Sequence, residues 1–146
     1  MSSRILLVED NSSDIELARR ALRKSRVLNE VDCVEDGAEA IDYLFGTGAY
    51  QGRDPGDPPA LTLLDINLPK VSGLDVLRRI RADPRTRRMP VVILTSSAED
   101  RDVAAGYALG VNSDIRKPVD FTQFAAATEQ VGLYWLVLNV PPKTAS

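Results

Sequence analysis

Two hydrophobic textures alternate along this chain. Short apolar runs, Ile5-Leu6-Leu7-Val8, Leu61 to Leu64 (interrupted only by Thr62) and Pro90-Val91-Val92-Ile93-Leu94, are separated by segments whose apolar positions return every three or four residues. An unbroken short run fits a strand covered on both faces, and the helical period fits an amphipathic helix. Val31 to Val34 reads as a further short strand, and Val111 to Arg116 as a weak one at a sheet edge. Helix starts fall between them. Ser13-Asp14-Ile15-Glu16 reads as a capping box, with Ile15, Ala18 and Leu22 on one face and Arg19, Arg20 and Arg23 elsewhere. Asp36-Gly37-Ala38-Glu39 opens a helix buried through Ile41, Leu44 and Phe45, and Ser72 caps one buried through Leu74, Leu77 and Ile80 that Asp83-Pro84 stops.

The fourth helix is expected to open at Ser97 and Asp100 and to close at Gly110. Gly106 in its middle costs on the order of 1 kcal/mol relative to alanine, so this helix is expected to be the least stable. Asp120-Phe121-Thr122-Gln123 begins the last helix, whose seam is Phe121, Phe124, Thr128, Val131, Trp135 and Leu138. From Leu133 to Leu138 no polar face remains, which points to a second surface; Leu133, Tyr134, Trp135 and Leu138 are the candidate contacts of a homodimer. A C-terminal strand is the competing reading of that stretch. Between Gly46 and Pro59, glycines and prolines break every periodicity, and a helix-to-strand loop there lies at the end of the sheet opposite the strand C-termini. The βα alternation as a whole predicts an α/β fold: a doubly wound parallel sheet with helices on both faces.

Composition narrows the function more than the fold. With 146 residues, 44% hydrophobic and 27% charged, the chain reads as one domain over residues 1–140 with a short tail, 141–146, after Pro141-Pro142. The absence of histidine excludes His-based acid/base catalysis and His metal ligation. A net charge of −3 argues against nucleic-acid binding, and the arginines at 78, 79, 81, 85, 87 and 88 read as a solvated face. Cys33 reads as an inert buried thiol. No stretch is long enough to span a bilayer, and a cytoplasmic location is expected.

The chemistry gathers at strand ends. Glu9 and Asp10, Asp65, Thr95 and Lys117 each follow a different strand, and the C-terminal ends of a parallel sheet share one crevice. Three carboxylates brought there repel, and Lys117 offsets only part of their charge. A hard divalent ion such as Mg2+ is the natural remainder, and with it Asp65 becomes a plausible nucleophile toward phosphorus, its product held by Lys117 and the Thr95 hydroxyl.

Ile5-Leu6-Leu7-Val8-Glu9-Asp10-Asn11, Leu64-Asp65-Ile66-Asn67-Leu68-Pro69 with Gly73, Leu94-Thr95 and Lys117-Pro118 resemble the signature of response-regulator receiver domains of two-component signalling. The resemblance implies a flavodoxin-like five-stranded sheet of order 2-1-3-4-5, a phosphoacceptor at Asp65, and Mg2+ held by Glu9, Asp10, Asp65 and the Asn67 carbonyl. It also implies a sensor histidine kinase as phosphate donor and a cis Lys117-Pro118 bond. The long loop and the closing segment Gly132 to Asn139 further resemble single-domain regulators that partner bacterial phytochrome kinases. Such a protein is a phosphoacceptor rather than an enzyme. With no effector segment after residue 140, its output is expected to be a protein contact.

One position departs from the pattern. Where receivers carry a switch aromatic coupled to Thr95, this chain has Asp114, which is expected to stay outside the apolar slot, near Arg116. Two rival readings are a Mg2+-dependent aspartyl-phosphate phosphatase and a binding-only receiver. The first wants an acid where Asn67 stands, and the second leaves the intact acids and Lys117 unused. Dimerisation through the last helix has a direct test: Trp135→Glu yields monomers in sedimentation, and an unchanged mass counts against that contact.

Overall fold

The computed structural model describes residues 4–25, 29–96 and 100–131. Strands β1 (Ile5–Val8), β2 (Val31–Val34), β3 (Leu61–Asp65), β4 (Val91–Thr95) and β5 (Ser113–Arg116) alternate with helices α1 (Ser12–Lys24), α2 (Gly37–Phe45), α3 (Gly73–Ala82), α4 (Asp100–Ala108) and α5 (Phe121–Val131). All strand pairs are parallel, in the order β2-β1-β3-β4-β5, which puts β5 at an edge as its weak pattern predicts. The proposed dimer residues Leu133, Tyr134, Trp135 and Leu138, and the helix start at Ser97, lie outside the described residues. Among those described, no helix is long and apolar enough to cross a membrane.

The unbroken apolar runs follow from a sheet covered on both sides. Leu6, Val8, Leu64, Val91 and Ile93 pack with Ala40, Leu44, Val76, Leu77 and Ile80 on one face. Ile5, Leu7, Leu61, Leu63, Val92 and Leu94 pack with Ala18, Leu22, Phe124 and Ala127 on the other. Each Val, Leu, Ile or Phe side chain among them contributes roughly 1.5–3 kcal/mol when fully buried, so a polar residue at any of them would cost more than a surface contact returns.

Local side chains fix where the helices begin. The cap of α1 is Asn11, not Ser13: the Asp14 N–H donates to Asn11 Oδ1 at 3.0 Å, and Glu16 turns outward to Arg23 at 3.1 Å. Asn caps as well as Ser, and the extended backbone of Asn11 sets the start two residues earlier. Asp36 and Ser72 cap α2 and α3 as predicted, accepting from the Glu39 and Asp75 N–H groups. Asp120 accepts from the Gln123 N–H at 2.8 Å, but the Gln123 amide reaches the carbonyls of Arg116 and Pro118 instead of closing a box. The Lys117-Pro118 peptide is cis.

The loop from Gly46 to Pro59 contains a 3-10 turn at Gly48–Tyr50 and lies along α2. The Tyr50 hydroxyl donates to Glu39 at 2.8 Å, its ring meets Tyr43 edge-on at 5.2 Å, and the Arg53 guanidinium covers the Tyr43 ring at 3.7 Å. The loop leaves through Ala60, whose N–H donates to the Arg4 carbonyl at the start of β1, far from the strand C-termini. One arginine is not on a solvated face. Arg81 donates to the carbonyls of Arg87, Met89, Leu109 and Gly110, tying the end of α3 to the end of α4.

Two glycines are dictated by close approach. A Cβ on Gly106 would lie 2.9 Å from Ile93 Cδ1, so the residue that weakens α4 by propensity also lets it sit close on β4. A Cβ on Gly73 would lie 2.2 Å from the Asp65 carbonyl oxygen, a backbone atom that cannot swing away. Gly73→Ala is therefore expected to lower the thermal midpoint by about 5 °C or more, several times the effect of Gly106→Ala, where only the tip of a side chain must shift. Equal midpoints for the two variants in thermal melts would show that the start of α3 has room to move.

Candidate functional site

Four parallel connections deliver the polar groups to one end of the sheet. β1 runs directly into Glu9 and Asp10, β3 ends on Asp65, β4 ends on Thr95, and β5 leads into Lys117. Glu9, Asp65 and Thr95 are buried at 0%, 1% and 0% exposure, while Asp10 and Asn67 are exposed. The two buried acids are held alike. Glu9 Oε1 accepts from the N–H groups of Asp10 and Asn11 at 3.1 Å each, and Asp65 Oδ1 accepts from the Asn67 N–H at 3.0 Å. Their other oxygens share the Lys117 ammonium, 3.3 Å from Glu9 Oε2 and 3.0 Å from Asp65 Oδ2. Lys117 is itself placed by its backbone, whose N–H donates to the Thr95 carbonyl at 2.7 Å.

Electrostatics explain why these groups do not simply neutralise one another. Burial, and then the neighbouring Asp65 charge, push the Glu9 carboxyl up to about 8. Burial also works against the charge of Lys117, yet the hydrogen bond to Asp65, followed by the charges of Asp65 and Glu9, holds the ammonium above its ordinary range. The site is thus one cation short for three acids. Ligand atoms of Glu9, Asp10 and Asp65 all lie within 4.8 Å of one another, and an all-carboxylate set of that size suits a hard divalent ion such as Mg2+ or Mn2+.

The remaining predicted residues fall unevenly. Asn67 adjoins Asp65 through its N–H. Among the described residues the buried Thr95 hydroxyl has no hydrogen-bond partner, at a cost of about 1–3 kcal/mol unless something in the crevice engages it. Asp114 is half-buried on β5 and does not turn to Arg116: its Oδ1 accepts from the Tyr107 hydroxyl of α4 at 2.6 Å, while Arg116 donates to the Ser96 carbonyl at 3.3 Å. A carboxylate on an edge strand needs a donor within reach, and α4 supplies a phenol. Sequence reasoning missed both Tyr107 and Asp14, which stands 3.5 Å from the Lys117 ammonium. The available signals were faint: a lone aromatic on an alanine-rich helix, and an acid in the first turn of the helix that follows the acidic strand end.

Residues 5–129 match the family model of the response regulator receiver domain. The response regulator Rcp1 of Synechocystis sp. is 36% identical over 132 residues, covering 90% of this chain and 88% of its own. Among solved structures, the bacteriophytochrome response regulator RtBRR is 50% identical with a TM-score of 0.85, covering 98% of this chain and 86% of its own. The phosphorylated cyanobacterial phytochrome response regulator RcpA is 40% identical with a TM-score of 0.74, covering 95% and 96%. The Mn2+-bound form of Rcp1 also matches, at a TM-score of 0.73, covering 94% and 97%.

The raised Glu9 carboxyl carries a stability consequence. Without a divalent ion the folded chain holds the Glu9 proton up to about pH 8, while the unfolded chain releases it near 4.5, the ordinary value of a solvated glutamate. Stability therefore falls as pH rises between those values. Glu9→Gln, which is neutral throughout, is expected to raise the thermal midpoint by several degrees at pH 8 and by little at pH 5 in metal-free buffer. An equal shift at both pH values would mean that Glu9 is buried in its charged form.

Proposed function

The chain belongs to the response regulator receiver family, and from that premise we propose that it is a single-domain phosphorylation switch whose phosphoacceptor is Asp65. The observation that carries this reading is the pairing of a buried nucleophile with an idle hydroxyl. Asp65 is fixed on one side by the Asn67 N–H and on the other by Lys117, and Thr95, one step beyond the Asp65 partner Leu94 on the adjacent strand, holds a buried oxygen with no hydrogen-bond partner among the described residues. A group added to Asp65 that brings several acceptor oxygens gives that hydroxyl and Lys117 something to hold.

The donor is the phosphohistidine of a sensor histidine kinase, and a bacteriophytochrome kinase is the narrower assignment. An Asp65 carboxylate oxygen forms the new bond to phosphorus in line with the breaking P–N bond, whose electron pair returns to the imidazole. Glu9, Asp10, Asp65 and the Asn67 carbonyl would hold a Mg2+ ion, which would supply the charge neutralisation that an anionic donor needs to approach. Lys117 follows the charge as it moves outward from Asp65 to the phosphoryl oxygens, and Thr95 donates its hydroxyl to one of them. The matches to a phosphorylated phytochrome response regulator and to a Mn2+-bound regulator support this reading.

The consequence is a change of protein contacts. The β5 strand pairs with the strand end that carries Thr95, and Tyr107 joins α4 to it through Asp114; that face is the output surface, and the C-terminal segment supplies a homodimer contact. The chain acts as a cytoplasmic signalling protein and turns over no substrate beyond its own phosphoryl group. The test is direct. A labelled small acyl phosphate is expected to produce a stoichiometric, alkali-labile adduct in the presence of Mg2+, little without it, and none on Asp65→Asn. An unlabelled wild type, or a labelled Asp65→Asn, would overturn the assignment.

A further inference from the structure

Lys117 has a carboxylate partner outside the metal-like cluster. Besides Asp65 at 3.0 Å and Glu9 at 3.3 Å, its ammonium lies 3.5 Å from Asp14 Oδ2. Asp14 stands in the first turn of α1, where its N–H is held on the Asn11 side chain. Its carboxylate is 24% exposed, so it lies at the rim of a pocket whose floor is Glu9 and Asp65. It is not among the carboxylates whose ligand atoms converge, which are Glu9, Asp10 and Asp65. The described contact by which Asp14 touches the site is Lys117.

That arrangement matters because every carboxylate oxygen of Glu9 and Asp65 already accepts a hydrogen bond. Each gives one oxygen to backbone N–H groups and the other to Lys117. An ion drawn to those carboxylates must contend with the ammonium for the same oxygens, and a divalent cation and an ammonium in one pocket repel. Lys117 then needs a carboxylate that the ion does not claim. Asp14 is already in contact with it.

We propose that Asp14 is a positioning residue for the chemistry at Asp65. By holding the Lys117 ammonium on the α1 side of the pocket, it frees Glu9 and Asp65 for a divalent ion and keeps the ammonium beside the oxygen that receives the phosphoryl group. The inference rests on the phosphoacceptor reading above. The competing role for Asp14 is a helix N-terminal acid that favours the macrodipole of α1, and that role is independent of Lys117.

A double-mutant cycle on the full chain separates the two. With Mn2+ binding followed by the loss of its free-ion magnetic resonance signal, Asp14→Asn is expected to weaken affinity about three- to tenfold when Lys117 is present and less than about twofold in a Lys117→Gln background. Asp14→Glu is expected to recover most of the loss. Equal weakening in both backgrounds, no weakening, or a lowered thermal midpoint with unchanged Mn2+ affinity would overturn the assignment. Acyl phosphate labelling distinguishes the failures: a labelled wild type without the cycle's coupling removes Asp14 alone, whereas coupling with an unlabelled wild type removes the phosphoacceptor reading and leaves the Lys117 partnership standing.

Discussion

Two carboxylates buried side by side cannot both be charged in a protein interior unless something nearby answers them. Here that answer is a single ammonium. Lys117 sits between Glu9 and Asp65, and the parallel sheet brings together groups separated by up to 108 positions in sequence to make the contact. The structure does not remove the imbalance, since Glu9 stays protonated well above the usual carboxylate range. A pocket left partly unneutralised is responsive: a cation that enters, or a dianion that attaches, shifts its charge distribution more than it would at a solvated surface.

The backbone around the pocket is built to keep that imbalance in place. Both acids are oriented by N–H groups of the residues that follow them, so neither can relieve the repulsion by swinging out to solvent without losing those bonds. The turn after β3 is locked by the Gly73 N–H on the Ile66 carbonyl at 2.9 Å, and only glycine lets α3 come so near the Asp65 carbonyl. Beyond β5, the Lys117 N–H on the Thr95 carbonyl keeps the lysine stem and the idle hydroxyl in fixed relation. The core's contribution is to make these positions stiff, through fully buried runs on β1, β3 and β4.

The α/β class and the polar end of the sheet were legible because each rests on a strong periodic signal. Unbroken apolar strands demand cover on both faces, and residues that end such strands must meet at one edge whatever the loops do. What the sequence hid depends on tertiary proximity. Asn11 displaces Ser13 as the α1 cap because two good capping residues stand close together and the path of the incoming chain decides between them. Gly106 looks like a defect until Ile93 is placed against it. Arg81 looks like one more surface charge in a run of arginines, yet it caps carbonyls from two separate segments. Asp14 reads as a helix-start acid, and only the arrival of Lys117 from the far end of the chain gives it a second partner.

Asp114 is where local rules and family pattern diverge most, and the outcome has a physical consequence for how a signal leaves the pocket. An aromatic ring in that place would be retained by apolar burial, which is short-ranged and insensitive to charge. The carboxylate is instead satisfied by the Tyr107 hydroxyl on the outside of the sheet. That phenol is pushed up to about 12, by burial first and then by its bond to Asp114, so it remains a donor at any physiological pH. With Tyr107 42% exposed, the bond competes with water and holds α4 to β5 by a modest, directional contact. Burial resists displacement through the area it must expose, whereas hydrogen bonds at an exposed edge are lost within a small shift of the helix and are then replaced by solvent. The seam between α4 and β5 is therefore a cheap place for this chain to change shape, adjacent on the sheet to the Thr95 hydroxyl that awaits a partner.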